Sequence, residues 1–197
     1  MAVITPGTDM SSCSIGFSKP QQQSDGKYMS KPVEQIVLRL DGLKTLGKID
    51  SNLPMEVTDS RVKDLLQSVD MKCVESAVES STDWFDKELS QEAVENMFVK
   101  SLVIDDEQRT TFPPETFRGS SGVKINVYTN KNTKLDYDKL NEDVNVAVLV
   151  ELYGIVFCKK SFRIKWKLHQ VKVIREIPKV LIDAYGFDDI SDDEELS

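Results

Sequence analysis

Between Phe162 and Leu168 apolar and charged residues alternate without a break. Phe162, Ile164, Trp166 and Leu168 take one side, and Arg163, Lys165, Lys167 and His169 take the other. A period of two marks a strand with one face in a core. The run before it has the same period with fewer polar breaks. Val144, Val146, Val148, Val150 and Leu152 share a face, while Ala147, Leu149 and Tyr153 make the opposite face partly apolar. That pattern predicts a central strand covered on both sides. Gly154, Ile155, Val156 and Phe157 carry it to a tight turn ahead of Phe162. Past Leu168 the phase flips, so that Val171 and Val173 face inward. One extra residue near His169 and Gln170 would do this, a bulge of the kind that lets a sheet curl.

Upstream, residues 31–40 read as a strand in which Ile36, Leu38 and Leu40 alternate with Val37 and Arg39, and Asp41-Gly42 is expected to turn the chain. Thr58 or Asp59 can cap a helix running to about Ser80. Val62, Leu65, Leu66, Val69, Cys73, Ala77 and Val78 lie on one stripe of it, spaced to pack against a sheet. A second helix is expected from the cap Ser90 to about Lys100, burying Val94, Met97 and Phe98. Trp84 and Phe85 lie in the polar connector between the two. They are expected to plug the helices onto the sheet, the alternative being exposure for stacking. Residues 110–119 form a proline-stiffened loop carrying Phe112 and Phe117 beside Arg109 and Arg118. Residues 124–129 form a strand with Ile125 and Val127 inward, turned by Asn130, Lys131 and Asn132. The first 27 residues, rich in Ser, Gln, Gly and Pro, read as a flexible arm.

Charge changes the meaning of the last hairpin. The chain of 197 residues is 40% hydrophobic and 29% charged, as soluble globular proteins are. Its net charge is −8, and seven of those charges are Asp183, Asp188, Asp189, Asp192, Asp193, Glu194 and Glu195, which leaves −1 over residues 1–182. Residues 155–175 carry seven Lys or Arg and no acid. A near-neutral body thus bears a positive stripe and an acidic tail. A cationic strand with aromatics at its turn suits a polyanion; lysines that merely blunt a sheet edge are the other reading. No apolar run approaches the ~18–20 residues of a membrane span, and the N-terminus lacks a secretory pattern. Cys13, Cys73 and Cys158 are too few and too scattered for a disulfide framework or zinc motif, which points to a reducing compartment, host cytoplasm or nucleus.

Catalytic chemistry is hard to assemble. His169 is the one histidine, so neither a histidine-ligated metal nor paired-histidine catalysis is available. Gly42 to Lys48 has the spacing of a phosphate-binding loop. However, Ile49 stands where Ser or Thr would hold magnesium, and Asp50 to Pro54 is turn chemistry rather than a helix start. No enzyme activity, metal or cofactor is expected.

Two blocks resemble an uncharacterised family encoded by nucleocytoplasmic large DNA viruses of algae and protists. One is Trp84-Phe85-Asp86-Lys87-Glu88-Leu89-Ser90. The other runs from Val148 through Gly154-Ile155-Val156-Phe157 and Lys160-Ser161-Phe162 to Trp166 and Gln170-Val171-Lys172-Val173. With the helix behind the first block and the intervening strand, they cover about residues 60–175. Asp86 departs from the glycine many members carry, and Val156 from an aromatic. In plan the chain also resembles single-stranded-DNA-binding proteins of viruses and phages, with a small β-barrel, a cationic aromatic groove and an acidic tail.

The expectation from residues and resemblance together is an α+β, mainly β protein. It is an antiparallel barrel of the oligonucleotide-binding (OB-like) type over residues 28–182, with a helical insertion at about residues 58–101. A disordered arm precedes it at residues 1–27, and a disordered acidic tail follows at residues 183–197. The expected function is sequence-tolerant binding of single-stranded DNA, or of RNA, in viral replication, recombination or repair. Lys159, Lys160, Arg163, Lys165, Lys167 and Lys172 would neutralise phosphates, and Phe157, Tyr153 and Tyr128 would stack on bases. Phe187 with Asp188, Asp189, Asp192, Asp193, Glu194 and Glu195 would recruit replication proteins, with a homo-oligomer as a further possibility. The competing expectation is a viral structural or scaffold protein whose tail recruits a partner.

Overall fold

The computed structural model describes residues 2–11, 13–119 and 122–175; the tail at residues 183–197 lies outside them. The elements begin with β1 (Ala2–Ile4), β2 (Gln21–Gln22), β3 (Tyr28–Ser30), β4 (Ile36–Thr45) and β5 (Met55–Val57). Three helices follow, α1 (Ser60–Glu79), α2 (Ser81–Phe85) and α3 (Gln91–Met97). Short strands come next: β6 (Phe98–Val99), β7 (Val103–Ile104), β8 (Thr110–Phe112), β9 (Arg118–Gly119), β10 (Gly122–Val123), β11 (Asn126–Tyr128) and β12 (Lys134–Leu135). Two long strands end the series, β13 (Asn145–Phe157) and β14 (Phe162–Arg175).

The strands join in the order β12-β11-β14-β13-β4-β5-β8-β7, with β1 on β4, β3 on β13, β2 on β3 and β6 on β14. This corrects the expected closed antiparallel barrel. The sheet is open, with β12 and β7 at its ends, and it is mixed: β1 runs parallel to β4, and β6 and β11 run parallel to β14. Among the described residues, an isolated bridge at Glu115 reaches across the gap. Glu115, three residues beyond β8, donates its amide to the Trp166 carbonyl at 2.9 Å and accepts from the Leu168 amide at 2.9 Å. The edge of β14 is therefore covered piecewise, by β6 at Phe162 and Arg163, by Glu115 near Lys167, and by β11 from Gln170 to Lys172.

Most of the core is the period-two faces of these strands. Leu38, Leu40, Val146, Val148, Val150, Leu152, Ile155, Phe162, Ile164, Trp166 and Leu168 are all buried. Helix α1 adds Val62, Leu65, Leu66, Val69, Cys73 and Ala77, the stripe its spacing implied. Its cap is Asp59, whose carboxylate accepts from the Arg61 amide at 2.9 Å. Burial pushes the Cys73 thiol well above its ordinary value. The second helix is shorter than expected, because Phe98 leaves the helix to pair with Phe162.

Two further expectations change. Asp41-Gly42 does not reverse the chain. Val146 pairs with Leu43 and Val148 with Leu40, so Asp41 and Gly42 oppose Ala147 in a bulge within β4. Gly42 takes φ +77°, and its carbonyl accepts from the Thr58 amide and hydroxyl, while a Cβ there would lie 2.6 Å from Asp59. The bulge is thus where the helical segment docks on the sheet. The same strand placement removes the phosphate-loop reading of Gly42 to Lys48. The N-terminal segment, expected as a flexible arm, lies on the fold: β1 adds to β4, and Met10 and Ile15 are buried.

One polar chain ties α1 to β14. Asp70 is buried and accepts from the Ser101 amide at 2.9 Å and from the Ser101 hydroxyl at 2.5 Å. The Trp166 indole N–H donates to the same hydroxyl at 2.8 Å. Burial pushes the Asp70 carboxyl up to about 6, against the lowering effect of those bonds.

Candidate nucleic-acid interface

Two bulges shape the outer face of the β13–β14 hairpin. Leu149 pairs with Gln170 but Val150 with Leu168, which makes His169 the extra residue of β14, where the phase flip in the sequence put it. Leu152 pairs with Trp166 but Gly154 with Lys165, which makes Tyr153 the extra residue of β13. A bulge re-aims the side chain it carries. Tyr153 comes to rest against Phe117 from the proline-stiffened loop, with ring centroids 5.0 Å apart at 61°. Gly154 allows the approach of β3, since a Cβ there would sit 2.7 Å from the Ser30 carbonyl oxygen. The residue after Ser30 is Lys31, whose ammonium lies 4.7 Å from the Tyr153 ring centroid.

Cations surround the ring pair. The Lys167 ammonium is 4.7 Å from the Phe117 centroid and 5.5 Å from that of Tyr153, and Lys165 is 5.3 Å from Phe117. Both rings are half-buried. Alternation places Arg163, Lys165 and Lys167 on this face in a row, with their apolar neighbours Ile164, Trp166 and Leu168 in the core. Electrostatics are less uniform than the sequence of the hairpin implies, because other segments bring in acids. Glu115 binds Arg163 at 3.0 Å and Lys165 at 3.2 Å. Glu151 meets His169 at 2.6 Å and accepts from Gln35 at 3.2 Å. Among the described residues no carboxylate pairs with Lys167 or Lys31.

The remaining sequence-derived candidates fall in three places. Lys159 and Lys160 are exposed at the hairpin tip, where the Cys158 amide donates to the Ser161 carbonyl at 2.8 Å. Tyr128 and Lys172 are register partners on the parallel β11–β14 pair and half-buried, with their neighbours Val127 and Val171 in the core. Phe157 is the exception. Its ring stacks on Phe162 at 6.0 Å and meets Trp84 and Phe85 edge-on at 5.6 and 5.8 Å. This corrects its expected place as an open stacking platform, because protein rings already occupy its face and edges. Trp84 and Phe85 are the plug that the connector promised, completed by Phe17, 5.9 Å from Trp84. Phe187 and the acids from Asp188 to Glu195 lie outside the described residues.

Sequence reasoning missed Phe117, Lys31 and Glu115 as members of this face. Phe117 stood out as an aromatic beside arginine in a stiff loop, but its partner Tyr153 is distant in the chain. Nothing local to Lys31 or Glu115 marks them.

Among the described residues no group of His, Cys, Asp and Glu is arranged to hold a metal ion, and no helix is long and apolar enough to cross a membrane. A family of unknown function, DUF5871, matches the chain over residues 33–189. No curated protein matches it. Among solved structures, it is similar to the single-stranded DNA-binding protein from bacteriophage Enc34, with a TM-score of 0.47 and 10% identity over 82% of this chain and 90% of that one. The same phage protein in complex with single-stranded DNA gives a TM-score of 0.44 at 11% identity, over 80% and 94%. The single-stranded DNA binding protein gp2.5 encoded by bacteriophage T7 gives 0.47 at 12% identity, over 82% and 98%.

Proposed function

The chain belongs to the family of unknown function DUF5871, and we propose that it binds single-stranded DNA, without reading sequence, on the outer face of the β13–β14 hairpin. The observation that carries this is the Tyr153–Phe117 ring pair with Lys31 and Lys167 against it, neither of them paired with a carboxylate among the described residues. Aromatic faces take unstacked bases whatever their identity, and ammonium groups beside them meet the phosphates between those bases. A duplex hides the faces of its bases and would leave the rings unused. Lys159, Lys160 and Lys172 extend the cationic path at either end of the hairpin, with Tyr128 beside Lys172. The binding requires no catalytic group and no cofactor.

The role follows as viral DNA replication, recombination or repair, where single strands are exposed. The open sheet is a variant of the oligonucleotide-binding barrel, with Glu115 as the point where its far end returns to β14. The acidic tail competes with DNA for the cationic face and, once displaced, recruits a protein partner through Phe187 and its acids. A scaffold role would account for the tail but leaves the ringed lysines without a task.

The test is the salt dependence of binding. Lys31→Ala with Lys167→Ala removes two phosphate contacts and should flatten log K against log salt by ~1.4, at ~0.7 per contact on single strands. An unchanged slope in a folded variant places the site elsewhere.

A further inference from the structure

Glu115 sits in the middle of the cationic row, and the chain holds it there from both sides. Its amide and carbonyl are bonded to Trp166 and Leu168 of β14, each at 2.9 Å. On the other side it bridges Asn52, the Leu53 amide donates to the Pro114 carbonyl at 3.2 Å, and the Thr116 amide donates to the Ser51 carbonyl at 2.9 Å. The Thr116 hydroxyl donates to the Asp50 carbonyl. Pro113 and Pro114 stiffen the approach. The backbone that carries this carboxylate is held in place, within reach of both cations. Its side chain is 28% exposed, so it faces the surface where a strand would lie.

We infer that Glu115 is a resident counter-ion. It occupies Arg163 and Lys165 in place of phosphate and directs the nucleic acid to Lys31, Tyr153, Phe117 and Lys167. The inference rests on the single-stranded-DNA reading above and divides its cations into two sets. Lys31 and Lys167 have rings for neighbours and are open to phosphate. Arg163 and Lys165 share one carboxylate, and a phosphate reaching them meets that negative charge as well. The face therefore grips less tightly, and with fewer released ions, than its lysine and arginine count implies. Such a face lets go of DNA readily, which suits a protein that coats single strands only until other enzymes need them.

The experiment measures fluorescence anisotropy of a labelled 30-nucleotide poly(dT) between 50 and 200 mM NaCl with the full chain. The variants are Glu115→Gln, Arg163→Ala, both together, and Lys167→Ala. Glutamine keeps the size of the side chain and removes the charge. Removing the one carboxylate that two cations share should steepen the salt slope by ~0.7 to ~1.4. The gain in affinity over wild type would then be roughly 2.6- to 7-fold larger at 50 mM than at 200 mM salt. Arg163→Ala should leave the slope of the wild type nearly unchanged but lower that of the Glu115→Gln protein by ~0.7. Lys167→Ala should weaken wild-type binding more than Arg163→Ala does, a comparison that does not depend on how Glu115→Gln folds. If wild type binds and Glu115→Gln matches it in affinity and slope, the counter-ion role is overturned while the DNA-binding reading stands. Equal losses from Arg163→Ala in both backgrounds overturn it too. If neither wild type nor Glu115→Gln binds at 50 mM salt, the proposed function fails and takes this inference with it.

Discussion

Tyr153 and Phe157 separate the proposed binding face from the core by a single comparison. Both are half-buried aromatics of β13, and the residues around them assign opposite roles. Tyr153 touches one ring, Phe117, and two ammonium groups. Phe157 touches three rings, Trp84, Phe85 and Phe162. Tyr153→Ala forfeits one edge contact, ~0.5–1.5 kcal/mol, and a base platform worth ~1–3 kcal/mol in binding. The affinity for single strands should fall by roughly 5- to 150-fold, with a loss of only a few degrees in Tm. Phe157→Ala opens a hole in the aromatic cluster. A fully buried Phe costs ~3–5 kcal/mol when cut to Ala, and a half-buried one with three ring partners should cost about 2–3. At ~2–4 °C per kcal/mol for a domain of this size, Tm should drop by about 4–12 °C. Affinity measured well below that Tm should stay within about twofold of wild type, since nothing that faces a strand has been removed. Anisotropy titration and thermal melting by circular dichroism of the two variants provide both readouts. The reasoning is refuted if the effects are exchanged, or if folded Tyr153→Ala binds as wild type does.

Other outcomes follow from the buried polar chain and the tail. The carboxyl of Asp70 is raised from 3.8 to about 6 by burial, so its favourable state is the protonated one. That contribution is fully present below pH ~4 and is lost as pH rises through about 6, on the order of 2–3 kcal/mol in all. Wild-type stability by chemical denaturation should therefore fall between pH 4 and 6 relative to Asp70→Asn, whose profile lacks that segment; parallel profiles would contradict it. Deleting residues 183–197 should raise affinity for single-stranded DNA, most at low salt where screening is weakest. Equal affinity with and without the tail at low salt would end the competition idea.

What the sequence made legible is what local periodicity encodes. The inward set Phe162, Ile164, Trp166 and Leu168, the extra residue at His169 and the Asp59-capped helix each follow from residues within two or three turns or pleats of one another. What stayed hidden depends on partners far along the chain. Phe157 looks like a turn aromatic until Trp84 and Phe85 arrive from the helical segment to cover it. Residues 155–175 contain no acid, yet Glu115 comes in from the far end of the sheet to pair with two of their cations. Tyr153 needs a second bulge to reach Phe117, and the register of two strands, not the pattern of one, creates it. Asp41-Gly42 has turn composition, but a long partner strand keeps β4 extended through it, and the glycine's left-handed φ becomes a bulge instead.

The most direct measurement is a competition between nucleic acids on one protein. A labelled single-stranded 30-mer is bound at 50 mM NaCl and displaced by unlabelled single-stranded DNA, duplex DNA of the same sequence, or single-stranded RNA, and the series is repeated at 200 mM. A ring platform flanked by lysines predicts that both single strands displace the probe and the duplex does so far less well. It also predicts that the preference persists at 200 mM, because stacking is not screened as phosphate contacts are. Equal displacement by the duplex, or a preference that vanishes at 200 mM salt, would mean that the face is merely cationic and that Tyr153 and Phe117 stack on nothing.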